Sequence, residues 1–298
     1  MTRIALTHHL DWGAERLWHA LSPLLPHLDI EVVARCESTN TALLQRARES
    51  SGAQPRARSS SDRAGRAEGG RRSDDAGPWL LVAEDQTAGR GRLGRAWHSA
   101  AGASLTFSLA LAFAPRDWSG LSLAVGVALA EALDPLAPGQ APRLMLKWPN
   151  DLWWHDGEGR GRKLGGILIE TTSVGPHRLA VVGIGLNVHP LPDTMLSADR
   201  ASLQELHEGL DAPATLHRVA PAVARALREF ETQGFAAFAT RYAARDLLAG
   251  RPVTTTSPQA PEGVALGVAE DGALRLRTPQ GNELRIASGE VSVRPASR

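Results

Sequence analysis

Residues 89–94, Gly89-Arg90-Gly91-Arg92-Leu93-Gly94, satisfy the spacing G-x-G-x-x-G, and what flanks them decides which folds the chain can enter. A dinucleotide-binding fold needs a helix to open on the last glycine, so that its N-terminus meets a pyrophosphate. Here Trp79 to Glu84 reads as a buried strand, the glycines run into Arg95-Ala96-Trp97-His98-Ser99, and Ser104 to Phe113 alternates as another strand. The required helix is missing. A P-loop is excluded too, because no Gly-Lys-Ser/Thr follows. What remains is a strand-to-strand loop bearing Arg90, Arg92 and Arg95. It could close over an anion, with backbone N–H groups and guanidinium forks as donors, or stand as a basic surface hairpin.

The rest of the pattern is α+β. Trp12 to Leu25 has the spacing of a short amphipathic helix, Asp29 to Cys36 reads as a strand, and Ser38-Thr39-Asn40 supplies cap residues for a helix through Leu43, Leu44 and Arg48. From Glu49 to Pro78 large apolar residues almost vanish, so burial cannot offset the entropy of ordering and the segment is expected to be disordered. Leu121 to Leu133 is apolar nearly all round, as a helix buried on a sheet would be. Strands are expected at Arg143 to Trp148, Leu164 to Thr171 and Arg178 to Leu186. A helix kinked at Pro221 and a second from Phe235 to Leu248 should follow, and beyond Gly250 short strands with turns at Glu270-Asp271-Gly272 and Gly281-Asn282. The domain reading is 1–28 as an N-terminal extension, 29–250 as the main domain with the 49–78 insertion, and 251–298 as a small β domain.

A formal charge of +1 gives no electrostatic case for nucleic acid or a membrane surface, and no apolar run approaches a membrane span. One cysteine, Cys36, cannot close an internal disulfide, which points to the cytoplasm. No Cys/His metal spacing occurs, and His8-His9 reads as solvated surface.

Of 33 basic residues only Lys147 and Lys163 are lysines, which leaves 31 arginines. A chain that uses arginine for generic positive charge keeps lysine where a compact ammonium is needed and a planar fork would not fit. The first stands in Lys147-Trp148-Pro149-Asn150-Asp151, a turn between strands in apolar company with Trp153-Trp154, where partial desolvation would strengthen its hold on an anion. The second stands in Lys163-Leu164-Gly165-Gly166-Ile167. The paired glycines there, and those of Gly183-Ile184-Gly185-Leu186-Asn187, imply close approach of backbone to a ligand or to tightly packed neighbours. Trp97 is available to stack on a flat ring.

Together these segments resemble the biotin protein ligase family, from about Glu31 to Val293. The carriers are Ser38-Thr39-Asn40, Gln86 with Gly89 to Trp97, Lys147 to Asp151, Lys163 to Gly166, Gly183 to Asn187, and Ser288-Gly289-Glu290-Val291. Two features depart from the family pattern: the 49–78 insertion, and Gly165, where many members have alanine. The resemblance implies a mixed sheet with flanking helices like that of class II aminoacyl-tRNA synthetases, followed by an SH3-like barrel. With about 28 residues before the first strand, a DNA-binding winged helix is not expected.

It also implies ATP-dependent activation of biotin as its adenylate, then transfer to a lysine of the biotin carboxyl carrier protein of acetyl-CoA carboxylase, with Mg²⁺ accompanying ATP. By similarity Lys163, Arg92 and Lys147 would be catalytic. Biotin would meet Ser38, Thr39, Asn40, Gln86, Arg90, Gly91, Arg92, Lys163 and Gly166. The adenylate would meet Arg95, Trp97, Lys147, Asn150 and Asn187, with Asn150 near the metal. A monomer and a homodimer both stay open. The rivals are a lipoate or octanoate ligase, whose paired-arginine, triple-glycine segment is absent, and a non-enzymatic biotin sensor.

Overall fold

Seven strands hydrogen-bond in the order β1-β2-β3-β7-β6-β5-β4, where β1 is Asp29–Cys36, β2 Trp79–Gln86, β3 Ser104–Ala112, β4 Leu144–Lys147, β5 Asp151–His155, β6 Gly161–Val174 and β7 His177–Asn187. The computed structural model describes residues 10–52, 77–155, 161–190, 200–287 and 292–295. Only β1 and β2 run parallel, and the crossover between them begins with helix α2, Thr39–Gly52. Every other neighbouring pair in this sheet is antiparallel.

A period of two along the strands separates two faces. Leu105, Phe107, Leu109 and Leu111 of β3, Ala180, Val182, Ile184 and Leu186 of β7, and Leu144 and Leu146 of β4 join the main core. Helices α3, Leu121–Leu133, and α4, Ala212–Gln233, pack on that face, and α3 is buried almost all round, as its composition requires. The alternate residues look the other way. Ala110, Leu179 and Val181 meet Leu43, Leu44 and Ala47 of α2 in a small second cluster. Burying the two leucines contributes about 3–6 kcal/mol, so this polar helix relies on hydrogen bonds from its first turn for its orientation.

On the α2 face the register lines up one row of residues across five strands. Thr106 pairs with Gly185, Gly185 with Gly166, Gly166 with Asp151, and Asp151 with Lys147. Paired residues share a face, so the row places two glycines, a carboxylate and an ammonium side by side. The C-terminal part is a five-stranded antiparallel sheet, order β11-β10-β9-β8-β12, of β8 Pro252–Thr255, β9 Glu262–Val268, β10 Leu274–Arg277, β11 Glu283–Ile286 and β12 Val293–Pro295. Trp148 is fully buried and donates through Nε1 to the carbonyl of Gly272 at 3.0 Å, which ties this sheet to the main domain.

Several elements differ from the sequence expectation. The first helix, α1, is confined to Ala14–Leu21, and α2 continues past Arg48 to Gly52, into the stretch read as disordered; residues 53–76 lie outside the described ones. The strand β5 is an addition to the sequence expectation, which ends one strand at Trp148, places a turn at Lys147 to Asp151 and starts the next strand only at Leu164. Pro221 lies within α4 without ending it. The helix expected from Phe235 to Leu248 is a 3₁₀ turn, Phe235–Phe238, and a single turn α5, Ala239–Ala243. The chain then leaves helical form because Leu146 donates to the carbonyl of Arg245 at 2.7 Å and Leu247 donates back to Leu146 at 3.0 Å. The edge of β4 has captured that segment, a long-range bond that no local periodicity encodes.

Candidate functional site

On the α2 face of the sheet lies a cavity of about 430 Å³. Its walls include Ser38, Thr39, Asn40, Gln86, Arg90, Gly91, Arg92, Arg95, Trp97, Lys147, Asn150, Lys163, Gly166 and Asn187. Every residue singled out from the sequence as a site candidate is therefore brought to one place, from α2, the end of β2, the glycine-arginine loop and strands β4 to β7.

The α2 end is a closed polar network. Gln86 Oε1 accepts from the Thr39 amide at 2.7 Å and from its hydroxyl at 3.2 Å, which leaves the Gln86 amide nitrogen to serve the cavity. Asn40 Nδ2 donates to the carbonyl of Leu168 at 3.1 Å and to Glu170 at 2.9 Å, and its Oδ1 accepts from Ser108 at 2.6 Å. Both ends of the Asn40 amide are thus engaged by protein, so it frames the site rather than offering a free group. Ser38 is nearly buried and opens α2, its carbonyl accepting from Ala42 at 2.9 Å.

At the β4–β5 edge the charges gather. Lys163 Nζ lies 2.6 Å from Asp151 Oδ1, directly over Gly166. Lys147 stands over the ring of Trp153, 5.2 Å from its centroid. Burial pushes the Lys147 ammonium below its ordinary pKa; Asp151 pulls the other way, while Lys163, Arg294 and Arg95 add to the lowering. Arg92 is lowered for the same first reason, burial, opposed by Asp151 and assisted by Arg95. One carboxylate thus faces several cations, and an anionic ligand would relieve the excess.

The loop resolves the two readings left open, because it is a hairpin and it also walls the cavity. Arg90 bridges Ala96, the Gly91 amide donates to the Arg95 carbonyl at 2.7 Å, and Trp97 donates to Gly89 at 2.8 Å. Gly91 therefore uses its own N–H inside the hairpin. Leu93 at the tip has φ 57 and is half exposed, a strained and open conformation for leucine. Arg90 reaches across to Glu170, with Nη2 3.1 Å from each carboxylate oxygen, and Arg95 Nη2 donates to Ser292 of the C-terminal sheet at 3.0 Å. The glycines of β7 are explained by what lies on them. A Cβ on Gly183 would come within 2.2 Å of Asn40 Oδ1, and one on Gly185 within 2.5 Å of the Trp97 ring. Gly165 matters more than its sequence suggested, since a Cβ there would meet the Leu186 side chain at 2.5 Å and the Gly185 carbonyl at 2.6 Å.

Comparison with known proteins falls in line with this geometry. Residues 55–187 match the Biotin/lipoate A/B protein ligase family, and residues 249–294 match the biotin protein ligase C-terminal domain. A biotin–[acetyl-CoA-carboxylase] ligase of Paracoccus denitrificans is 37% identical over 224 residues, 72% of this chain and 89% of that one. The enzyme of the same description from Mycobacterium tuberculosis is 33% identical over 273 residues, 88% of each chain. The solved biotin protein ligase of Aquifex aeolicus, in complex with biotin and ATP, superposes with a TM-score of 0.66 at 27% identity, covering 90% of this chain and 99% of that one. The chain belongs to the biotin protein ligase family. It is a ligase, with that family's mixed α/β fold and C-terminal β domain.

Sequence reading of this ligase passed over several wall residues. Asp151 was quoted only as part of a turn, although it is the carboxylate that holds Lys163. Glu170 and Ser108, which bond the wall residue Asn40 without lining the cavity themselves, carry no motif, and only the register of β6 and β3 brings them there. Ser292 and Arg294 line the cavity from the C-terminal sheet, and Arg200 lines it from a segment that showed no pattern. The Ser288 to Val291 phrase and His8-His9 lie outside the described residues. Among the described residues no group of three or more His, Cys, Asp or Glu could hold a metal ion, and no helix is long and apolar enough to cross a membrane.

Proposed function

We propose that this ligase activates biotin with ATP and transfers it to one lysine of the biotin carboxyl carrier protein of acetyl-CoA carboxylase, in the cytoplasm. A carboxylate oxygen of biotin attacks the α-phosphate, the bond to the β-phosphate breaks, and pyrophosphate leaves with its electron pair. The carrier lysine then attacks the acyl carbon, AMP departs, and the amine loses a proton as the amide forms.

The observation that carries this reading is the polarity of one cavity, with a neutral donor and acceptor set at the α2 end and Lys147, Lys163 and loop arginines against Asp151 at the other. A neutral bicyclic ring fits the first and a triphosphate the second. Bringing a carboxylate onto a phosphate is opposed by like charge, and cations fixed beforehand in a dry site lower that barrier by several kcal/mol. In this scheme Lys163 faces the carboxylate and the acyl-phosphate oxygens, held at its angle by Asp151. Arg90 and Arg92 close over biotin and the phosphate, Lys147 neutralises the α-phosphate, and Arg95 and Arg294 serve the phosphate tail. Ser38, Thr39 and Gln86 take the ureido ring, Trp97 and Asn187 flank the adenine, and the hairpin excludes water from the mixed anhydride.

Mg²⁺ bound with ATP would screen its phosphates. Such an ion needs only one or two protein oxygens besides phosphate and water, which Asn150 and Asp151 can supply. The two parts of the chain read as a class II synthetase-like domain and an SH3-like barrel.

The test is intact-protein mass spectrometry of the carrier domain with biotin and ATP. One biotinyl group should appear and be lost when the acceptor lysine is replaced. Modification of a lipoyl domain with lipoate in preference to biotin would favour the rival ligase instead.

A further inference from the structure

Four enclosed polar atoms on the cavity wall have no hydrogen-bond partner among the described residues: Trp97 Nε1, Trp153 Nε1, Asn187 Oδ1 and Arg200 Nη1. Arg200 is the costliest, because a guanidinium with an enclosed nitrogen and no acceptor is retained only if something else supplies one. Its backbone is fixed. Arg200 sits beside Lys163 in a parallel bridge, its carbonyl accepts from Arg162 Nη1 at 3.1 Å, and the next residue, Ala201, donates to the Lys163 carbonyl at 2.9 Å.

Its connections say which part of a ligand it faces. Arg200 is tied through the next residue to Asn187, whose Nδ2 donates to the Ala201 carbonyl at 3.0 Å and to the Lys163 carbonyl at 3.4 Å. With its nitrogen so held, Asn187 can present only Oδ1, an acceptor. The wall therefore offers an acceptor, Asn187 Oδ1, and a donor, Arg200 Nη1, on two residues joined through Ala201. Adenine displays the complement, an exocyclic N–H₂ beside a ring nitrogen, while guanine displays O6 where Asn187 Oδ1 would repel it.

Resting on the proposed use of ATP, we propose that Arg200 donates to a ring nitrogen of the adenine, so that Arg200 and Asn187 together read the base and select ATP over GTP. This makes Arg200 a specificity-determining residue that takes no part in the bond changes.

The test is equilibrium binding by calorimetry, without turnover, of ATP, GTP, 7-deaza-ATP and 1-deaza-ATP to wild type, Arg200→Ala and Arg200→Lys. Arg200→Ala should weaken ATP about tenfold, equivalent to ~1.4 kcal/mol. Wild type should lose about as much with the deaza analogue that lacks the contacted nitrogen, and the alanine variant should lose nothing further with it. Wild type that binds both deaza analogues as well as ATP, or GTP as well as ATP, overturns the proposal whether or not the variants fold. So does an alanine variant with its preference for ATP over the analogues intact. Because no biotin is present, these results stand apart from the identity of the acyl donor, which pyrophosphate exchange decides separately.

Discussion

At the α2 end of the cavity Thr39, Asn40, Gln86, Ser108 and Glu170 satisfy one another, whereas at the far end Trp97, Asn187 and Arg200 keep enclosed polar atoms without partners among the described residues. The first end is braced before any ligand arrives, with the Gln86 amide nitrogen left to the cavity, and its shape is set by folding. The second is complete only with a ligand in place. Unpaired buried groups cost folding free energy, and binding can recover that cost, so the nucleotide end should show in activity and the network end in stability.

The largest expected effect is at Lys163. Lys163→Ala should lower biotin-dependent pyrophosphate exchange by roughly 10²–10³-fold, the scale for one fixed electrostatic donor, while the melting temperature hardly moves. Lys163→Arg should be poor as well, since a planar fork cannot replace a point ammonium over Gly166 and beside Asp151. Near-normal exchange in the arginine variant would break the comparison at its most charged point.

A third region sharpens it. Tyr242 Oη and Asp246 Oδ2 are also enclosed without partners among the described residues, yet neither residue lines the cavity. Burial raises the Asp246 carboxyl from 3.8 to about 6, against hydrogen bonds from Leu248 and Ala249 that lower it. The folded state therefore holds this proton more tightly than the unfolded chain. The stability this carboxyl contributes is full below pH ~4 and is lost as pH rises through about 6. Asp246→Asn should match wild type at pH 4 and exceed it at pH 7 by up to about 3 kcal/mol, with activity unchanged. Denaturant melts at both pH values measure this, and parallel pH slopes in the two proteins would refute it.

Asn40→Ala should cost about 1–3 kcal/mol of stability by stranding Ser108, the Leu168 carbonyl and Glu170. A variant that melts like wild type and loses only biotin affinity would make Asn40 a ligand group, and the network end would no longer differ in kind. The smallest effect on folding belongs to Arg92→Gly, within about 0.5 kcal/mol, because the hairpin stands outside the core. Its expected signature is escape of activated biotin, read as indiscriminate labelling of added protein; tight retention of the adenylate would remove Arg92 from the hairpin's closing role.

How much of this was legible in sequence follows the same division. The cations in compact phrases line the cavity, and they showed in sequence because a desolvated ammonium beside a close backbone approach leaves a local mark; Ser38, Thr39, Asn40 and Gln86 line it too but were reached only through the family resemblance. The network partners left none. Ser108 and Glu170 are ordinary strand residues until β3, β7 and β6 pair in register and carry them to Asn40. The helix expected over residues 235–248 failed for a related reason: its apolar spacing was real, but the exposed edge of β4 offered Arg245 and Leu247 better backbone partners. Arg200 was invisible because its meaning lies in a missing partner.

The central claim, one cavity joining biotin's carboxylate to the α-phosphate of ATP, is tested most directly by exchange of labelled pyrophosphate into ATP. Run side by side with biotin, lipoate, octanoate and no acid, the assay should show exchange with biotin and background with the other three. Exchange driven by lipoate or octanoate but not by biotin, or no exchange with any acid by a folded and ATP-binding protein, would contradict it.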